Sequence, residues 1–261
     1  MIRSLWTATT GMEAQQVNMD VIANNLANVG TTGFKKSRAD FQDLLYQNQK
    51  AAGATDGAGT QEPTGIQIGL GTRTAAVQKL FTIGDLQQTG NDLDLAIEGD
   101  GFFQVEMTSG EMGYTRSGAF KKDGTGRLVT SNGEPVMPQI VIPEGATMVT
   151  VAGDGTVLAF EEGSNEGTEV GTIELVNFSN PGGLESIGRN LYQETPSSGA
   201  AVAGTPGELG LGSLAQGFLE GSNVSVMEEM VNMIASQRAY EATSKVIKSA
   251  DEMLQMSNNI V

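Results

Sequence analysis

The sequence predicts an α+β protein: long N- and C-terminal helices paired as a coiled coil, with an inserted mainly antiparallel β domain and extended connecting segments. Three observations lead there. Residues 222–261 hold no glycine and no proline, and residues 2–29 keep a 3-4 spacing of small and apolar positions. Between them, short apolar runs are punctuated by Gly-Asp, Asp-Gly and Asn-Gly pairs. The expected division is 1–30 with 222–261 as paired helices, 31–70 with 200–221 as the connecting region, and 71–199 as the β domain.

In the first helix Ile2, Leu5, Thr9, Met12, Gln16, Met19, Ala23 and Leu26 recur at heptad spacing. Gly11 weakens it by roughly 1 kcal/mol against alanine. With Thr and Gln in its seam, such a helix needs partners to hold in water. It should stop at Asn28-Val29-Gly30, where Gly30 and Gly33 permit left-handed backbone and Phe34 anchors the exit.

Residues 47–65 are poor in apolar side chains and rich in Gly, Ala, Thr and Gln, which reads as an extended insertion or linker. Strands are expected at 75–82, 93–98, 102–107, 127–130, 136–142, 148–151, 156–160 and 172–178. Turns at Asp123-Gly124, Asn132-Gly133 and Asp154-Gly155 separate several of them, suggesting an antiparallel sandwich or irregular barrel.

The last helix begins at the N-cap candidate Ser225, with Glu228 placed to close a capping box. Ala235, Ala239, Ala242, Val246, Ser249, Met253, Met256 and Ile260 form its seam. Upstream the stripe shifts to Met227, Val231 and Ile234. Recurring steps of eleven (Val224, Ala235, Val246) favour a nearly straight helix over a tight supercoil.

Composition narrows the chemistry. With no cysteine and no histidine, disulfides, thiol catalysis, His-dependent triads and the usual zinc sites are excluded. Lack of cysteine also suits a chain that enters an oxidising space without a disulfide pathway. The net charge is -16. Residues 71–221 carry 7 basic against 20 acidic side chains, while the flanking segments are near neutral. No basic face exists for nucleic acid, and near-neutral ends fit packing of the ends with a solvated middle. No apolar run of 18 residues exists, so no membrane insertion is expected, and the N-terminus lacks the apolar stretch of a cleaved signal peptide.

Candidate sites are weak. Asp92, Asp94, Glu98 and Asp100 could supply a carboxylate pair or calcium ligands, but alternation makes several of them solvent-facing strand charges. Gly69-Leu70-Gly71 and Gly210-Leu211-Gly212 lack the residues of a phosphate cradle and read as turns. Lys35, Lys36 and Arg38 read as a solvated basic face. No catalytic, cofactor or metal residue is assigned.

Ala23-Asn24-Asn25-Leu26-Ala27-Asn28-Val29 followed by Thr32-Gly33-Phe34-Lys35 resembles the signature of the bacterial flagellar rod and hook axial proteins. Its marks here are Asn24, Asn25, Leu26, Asn28, Gly33 and Phe34. The segments Asp40 to Tyr46, Leu95 to Val105, Tyr114 to Arg116, Gly183 to Gly188 and Glu228 to Glu241 are similar too, so the resemblance covers essentially the whole chain. Length and segments are most similar to subunits of the distal rod. The resemblance implies a non-enzymatic structural subunit that assembles helically with its own copies into a hollow, rigid drive shaft and export channel. It implies proximal rod and hook proteins at the two ends, surrounding basal-body rings, and the flagellar export apparatus as partners. The place implied is the basal body, in the periplasm and through the outer-membrane ring, and 47–65 would lie between neighbouring subunits. The assembly seam is expected at Ile2, Leu5, Met12, Met19 and Leu26 with Ala235, Ala239, Ala242, Val246, Met253 and Met256. Another axial subunit, from the proximal rod or hook, is the runner-up; a secreted β-domain binding protein or hydrolase is the contrasting class. The absence of histidine and the scarcity of aromatics disfavour the last.

Overall fold

A computed structural model describes residues 2–50, 64–161, 167–208 and 210–259. Most of the insertion expected at 47–65 lies outside the described residues, as does Ile260. The chain is α+β and divides into two compact units, Met1–Leu26 with Ser37–Gln78 and Val226–Val261, and Ala27–Lys36 with Lys79–Ser225.

The first unit is built on two helices, α1 (Ile2–Ala27) and α2 (Val226–Asn259). Helix α2 starts directly after Ser225 and carries Glu228 and Glu229 in its first turn, where the macrodipole favours negative charge. At 34 residues it is about 51 Å long. Helix α1 gives way to turns in which the Thr31 amide donates to the Asn28 carbonyl and the Phe34 amide to that of Thr31. The expected connecting region is partly strand. Ser37–Asp43 pairs with Thr72–Lys79, and Tyr46–Lys50 pairs antiparallel with Ile66–Gly69. Alternation gave no sign of the second ribbon because every residue of Tyr46–Lys50 is exposed.

The second unit holds a seven-stranded antiparallel sheet. Its order is Glu185–Gly188, Leu191–Gln193, Met112–Thr115, Phe102–Glu106, Leu175–Asn177 and Val202–Gly204, with Val136–Met137 pairing the far end of Phe102–Glu106. Side-chain alternation sends Phe103, Val105 and Leu175 into one core with Leu95, Ile97 and Phe120. Phe102 and Val176 point the other way, into a second cluster with Tyr114, Phe178 and Tyr192. A three-stranded sheet, Ala146–Val151, Thr156–Glu161 and Thr168–Thr172, adds Val149, Val151 and Val157 to the first core.

Several expected strands are shorter or divided. The run 136–142 ends at Met137 because Pro138 has no amide to donate to a ladder. The run 172–178 is divided: Thr168–Thr172 joins one sheet and Leu175–Asn177 another, with Ile173 buried between them. Residues 200–221, expected as connecting region, belong instead to the β unit. Val202–Gly204, Ser213–Gln216 and Phe218–Glu220 pair with Leu175–Asn177, Leu95–Glu98 and Leu86–Gln88. Leu211 and Leu214 enter the core, which isolated apolar residues among glycines do not advertise.

Candidate assembly surface and a buried polar clamp

Helices α1 and α2 run antiparallel and touch at three levels. Asn25 donates to Glu229 Oε2 at 3.3 Å, and Asn18 donates to the Ser236 hydroxyl at 2.8 Å. Gly11 faces Thr243, whose Cγ2 lies 3.7 Å from where a Cβ would stand. Each level is one heptad from the next, counted backward on α1 and forward on α2, so the register is uniform. Ala8, Ala14 and Ile22 are buried on α1, as are Glu229, Ser236 and Ala250 on α2.

The pairing stripe is therefore not the expected one. It lies one position away on each helix. Leu5, Met12, Met19, Leu26 and Ala239 are half-buried beside it, while Ala235, Ala242, Val246, Met253 and Met256 are exposed. Ile2 lies in α1, and its side chain is outside the described residues. Small and polar residues make the close approach, and the large apolar ones flank it. Further exposed apolar side chains stand at Trp6, Met227, Met230, Val231 and Ile234. Met227 keeps 75% of its surface in solvent and Met256 58%.

The family-signature residues acquire individual roles. Asn25 is 1% exposed. Its amide nitrogen also donates to the Ser37 carbonyl at 2.9 Å, and its oxygen accepts the Ser37 amide at 2.8 Å. Leu26 is half-buried and Asn24 is exposed on α1. Asn28 Oδ1 accepts the Thr31 hydroxyl at 3.2 Å. Gly33 has φ +68, and a Cβ there would meet the Ser117 nitrogen at 2.6 Å, so both conformation and space demand glycine. Phe34 is buried, with the Lys79 ammonium 4.8 Å above its ring.

Lys35 corrects the expected solvated basic face. It is fully buried, and its ammonium donates to Glu220 Oε1 at 2.5 Å and to the Thr82 carbonyl at 2.6 Å. The same carboxylate oxygen accepts the Gly84 amide at 3.0 Å. Arg116 Nε faces Oε2 at 3.0 Å as an ion pair without hydrogen-bond alignment, and its terminal nitrogens donate to the Gly99 and Gly101 carbonyls. Burial pulls the Lys35 ammonium below its ordinary range; the Glu220 carboxylate opposes this and the Arg116 guanidinium adds to it. Asn223 extends the clamp, accepting the Lys36 amide at 2.7 Å and donating to the Leu80 carbonyl at 2.9 Å. Three passages of chain, 33–36, 80–84 and 220–223, are knitted together here. Arg38 pairs at the surface, with Asp40 at 3.0 Å.

Of the acidic residues singled out, Asp94 serves local structure. Asp94 accepts the Asn91 amide nitrogen at 3.1 Å, while Asp92, Glu98 and Asp100 are exposed. Among the described residues no cluster of three acidic side chains is placed to hold a metal ion. Nor is any described helix long and apolar enough to cross a membrane. Gly212 donates its amide to the Asp100 carbonyl at 2.8 Å, a backbone role rather than a phosphate cradle.

Three family models match. Residues 5–35 match the flagella basal body rod protein model, 96–159 the flagellar hook protein FlgE/F/G D1 domain, and 215–260 the flagellar basal body rod FlgEFG protein C-terminal region. The flagellar basal-body rod protein FlgG of Borreliella burgdorferi is 50% identical over 262 residues, covering 100% of this chain and 99% of that one. FlgG of Buchnera aphidicola subsp. Acyrthosiphon pisum is 49% identical over 255 residues, 98% of each chain. The flagellar hook protein FlgE of Helicobacter mustelae is 44% identical over 134 residues, which are 51% of this chain and 30% of that protein.

Proposed function

This chain belongs to the flagellar basal-body rod protein family, and we propose that it is a structural subunit of the distal rod, polymerising with its own copies into a hollow shaft. The role is mechanical, not catalytic. The observation that carries the reading is the unpartnered apolar surface of α2, where Met227, Met230, Val231, Ile234, Val246, Met253 and Met256 stand exposed. Burying one such side chain fully is worth roughly 1.5–3 kcal/mol, so a helix presenting seven has a large incentive to associate. The side stripes holding Leu5, Met12, Met19 and Leu26 on α1, and Ala235, Ala239, Ala242, Val246, Met253 and Met256 on α2, are the surfaces we assign to subunit contacts. The α1–α2 pair would act as a coiled-coil core, with 31–70 as a connector and 71–199 as the body of the β domain.

The partners proposed are copies of the chain, proximal rod and hook proteins at the two ends, the surrounding rings and the export apparatus. The place is the basal body, across the periplasm to the outer-membrane ring. A hook subunit is the second reading, favoured by the hook relative; it is weaker because that match spans 30% of the hook protein, whereas the rod relatives match end to end. Electron microscopy of the purified chain at high concentration checks the proposal. Straight tubes are expected, together with restored motility in a strain lacking its own rod subunit. Protein that stays monomeric at every concentration, and restores no motility, would sink the reading.

A further inference from the structure

The β unit holds a polar cavity of about 300 Å³ that the assembly reading does not use. Two turns wall it. In the first, the Thr130 amide donates to the Glu134 carbonyl at 2.8 Å, and the Thr130 hydroxyl donates to Glu134 Oε2. The Glu134 side chain is 6% exposed. In the second, Arg189 and Asn190 join the strands Glu185–Gly188 and Leu191–Gln193 with φ of 56 and 60. A two-residue turn with positive φ at both positions favours Asn and Gly. Asn190 suits it, whereas a long side chain such as Arg189 is strained there. The Arg189 guanidinium is 70% exposed and meets Glu134 Oε1 only as an ion pair at 3.7 Å, beyond hydrogen-bond reach. The turn itself therefore gives no reason for an arginine.

The remaining lining keeps spare hydrogen-bonding capacity of both signs. The Thr32 and Ser117 hydroxyls stand 3.4 Å apart, so one proton of the two is free to donate elsewhere. Asn190 donates to the Thr32 carbonyl at 3.1 Å, which leaves its amide oxygen as an acceptor. The Asn132 side-chain amide has no partner among the described residues. We propose that this cavity binds one ring of a neutral saccharide. Its lining carries one carboxylate and one guanidinium, so an anion would face Glu134 and a cation would face Arg189. Leu191 and Ala119 are its apolar lining, too little for an apolar ligand but enough to meet the C–H face of a sugar ring. Neighbouring ring hydroxyls both donate and accept, so one can donate to Glu134 Oε1 while the next accepts from Arg189. The pair is bridged as it stands. A zwitterionic amino acid has balanced charge too, but it would have to part Arg189 from Glu134. The volume lies at the small end of ligand pockets, roughly 300–1,000 Å³, and suits a single ring rather than a length of chain.

Saturation-transfer NMR on the full chain, in buffer free of glycerol, tests the site. The probes are glucose, galactose, mannose and N-acetylglucosamine, a linear oligomer of each, and alanine as the zwitterion. Transfer to at least one sugar is expected, with none to alanine. Transfer to a free monosaccharide marks a soluble sugar as the ligand, and transfer confined to the terminal ring of an oligomer marks a glycan end; either supports the site. Asn132→Ala should weaken the signal. Arg189→Asn keeps a residue that tolerates the turn and removes the guanidinium, so binding should be lost while the melting temperature stays level or rises. No transfer to any sugar overturns the proposal, as does transfer to alanine alone. Sugar binding that persists in both variants places the ligand elsewhere and overturns it too. So does an Arg189→Asn protein that melts earlier yet still binds, because the arginine would then serve the fold.

Discussion

Glu220 is the residue on which the most chain depends. Its carboxylate sits between the Lys35 ammonium and the Arg116 guanidinium, all three buried, and its backbone carbonyl accepts the Gly33 amide at 2.8 Å. A buried pair adds little over a well-packed apolar replacement, but losing one member strands the other in a medium that solvates it poorly. The two ends of the pair are not equivalent. Glu220→Gln leaves two cations with no anion, whereas Lys35→Met leaves Glu220 still facing Arg116. We expect Glu220→Gln to destabilise the β unit by about 3–5 kcal/mol and Lys35→Met by clearly less, with denaturant midpoints at neutral pH as the measure. Equal losses in the two variants would mean that Arg116 does not hold the carboxylate. Nothing local in the sequence announces this clamp, because Lys35 and Glu220 are 185 residues apart and a Lys-Lys pair beside an arginine reads as surface.

At the scale of elements, the two helices are legible in the sequence and their pairing is not. A run without glycine or proline and 3-4 spacing suffice to place α1 and α2. The stripe that joins them consists of Gly11, Asn18 and Asn25 against Thr243, Ser236 and Glu229, which a search for hydrophobic periodicity passes over. The apolar seam read from the sequence is the flank of that stripe, and in the single chain its α2 half is mostly exposed. Of the signature, Asn25 and Gly33 turn out to be needed for specific hydrogen bonds and for space, needs that the letters alone do not reveal. The ribbon of Tyr46–Lys50 with Ile66–Gly69 escapes sequence reading because neither face of its first strand is buried. Gly11 offers a direct test of the register. A Cβ there would meet only Thr243 Cγ2, at an ordinary contact distance of 3.7 Å. Gly11→Ala should therefore stabilise α1 by up to about 1 kcal/mol through helix propensity alone, seen as a raised thermal midpoint of the helical signal. A lowered midpoint would show the helices closer together at this level than the register allows.

For the whole molecule, the distribution of charge and apolar surface argues for a chain completed by its neighbours. The acidic residues concentrate between 71 and 221, whereas the helices are near neutral and expose methionine and valine. Solvation therefore suits the middle, and association suits the ends. Met253 separates stability of the chain from stability of the assembly. It is 46% exposed in the single chain, so an aspartate there remains solvated and the monomer loses little. If the Met253 stripe is covered by neighbouring copies, the same carboxylate is desolvated without a partner, costing several kcal/mol or forcing its pKa upward. The penalty recurs at every subunit, so polymerisation should fail while the fold persists. Met253→Asp is expected to keep the circular dichroism and melting temperature of the isolated chain and to lose tubes and motility. Gln255→Asp is the matched control: it adds the same charge on the same exposed turn, with only a mild i,i+4 repulsion from Asp251, roughly 0.2–0.5 kcal/mol. Its loss of the 3.1 Å hydrogen bond to Asp251 is a surface event that motility should survive. Tubes and swimming at normal levels with Met253→Asp would show that this stripe stays wet in the shaft, and the subunit contact would then have to lie on a different face of the helices.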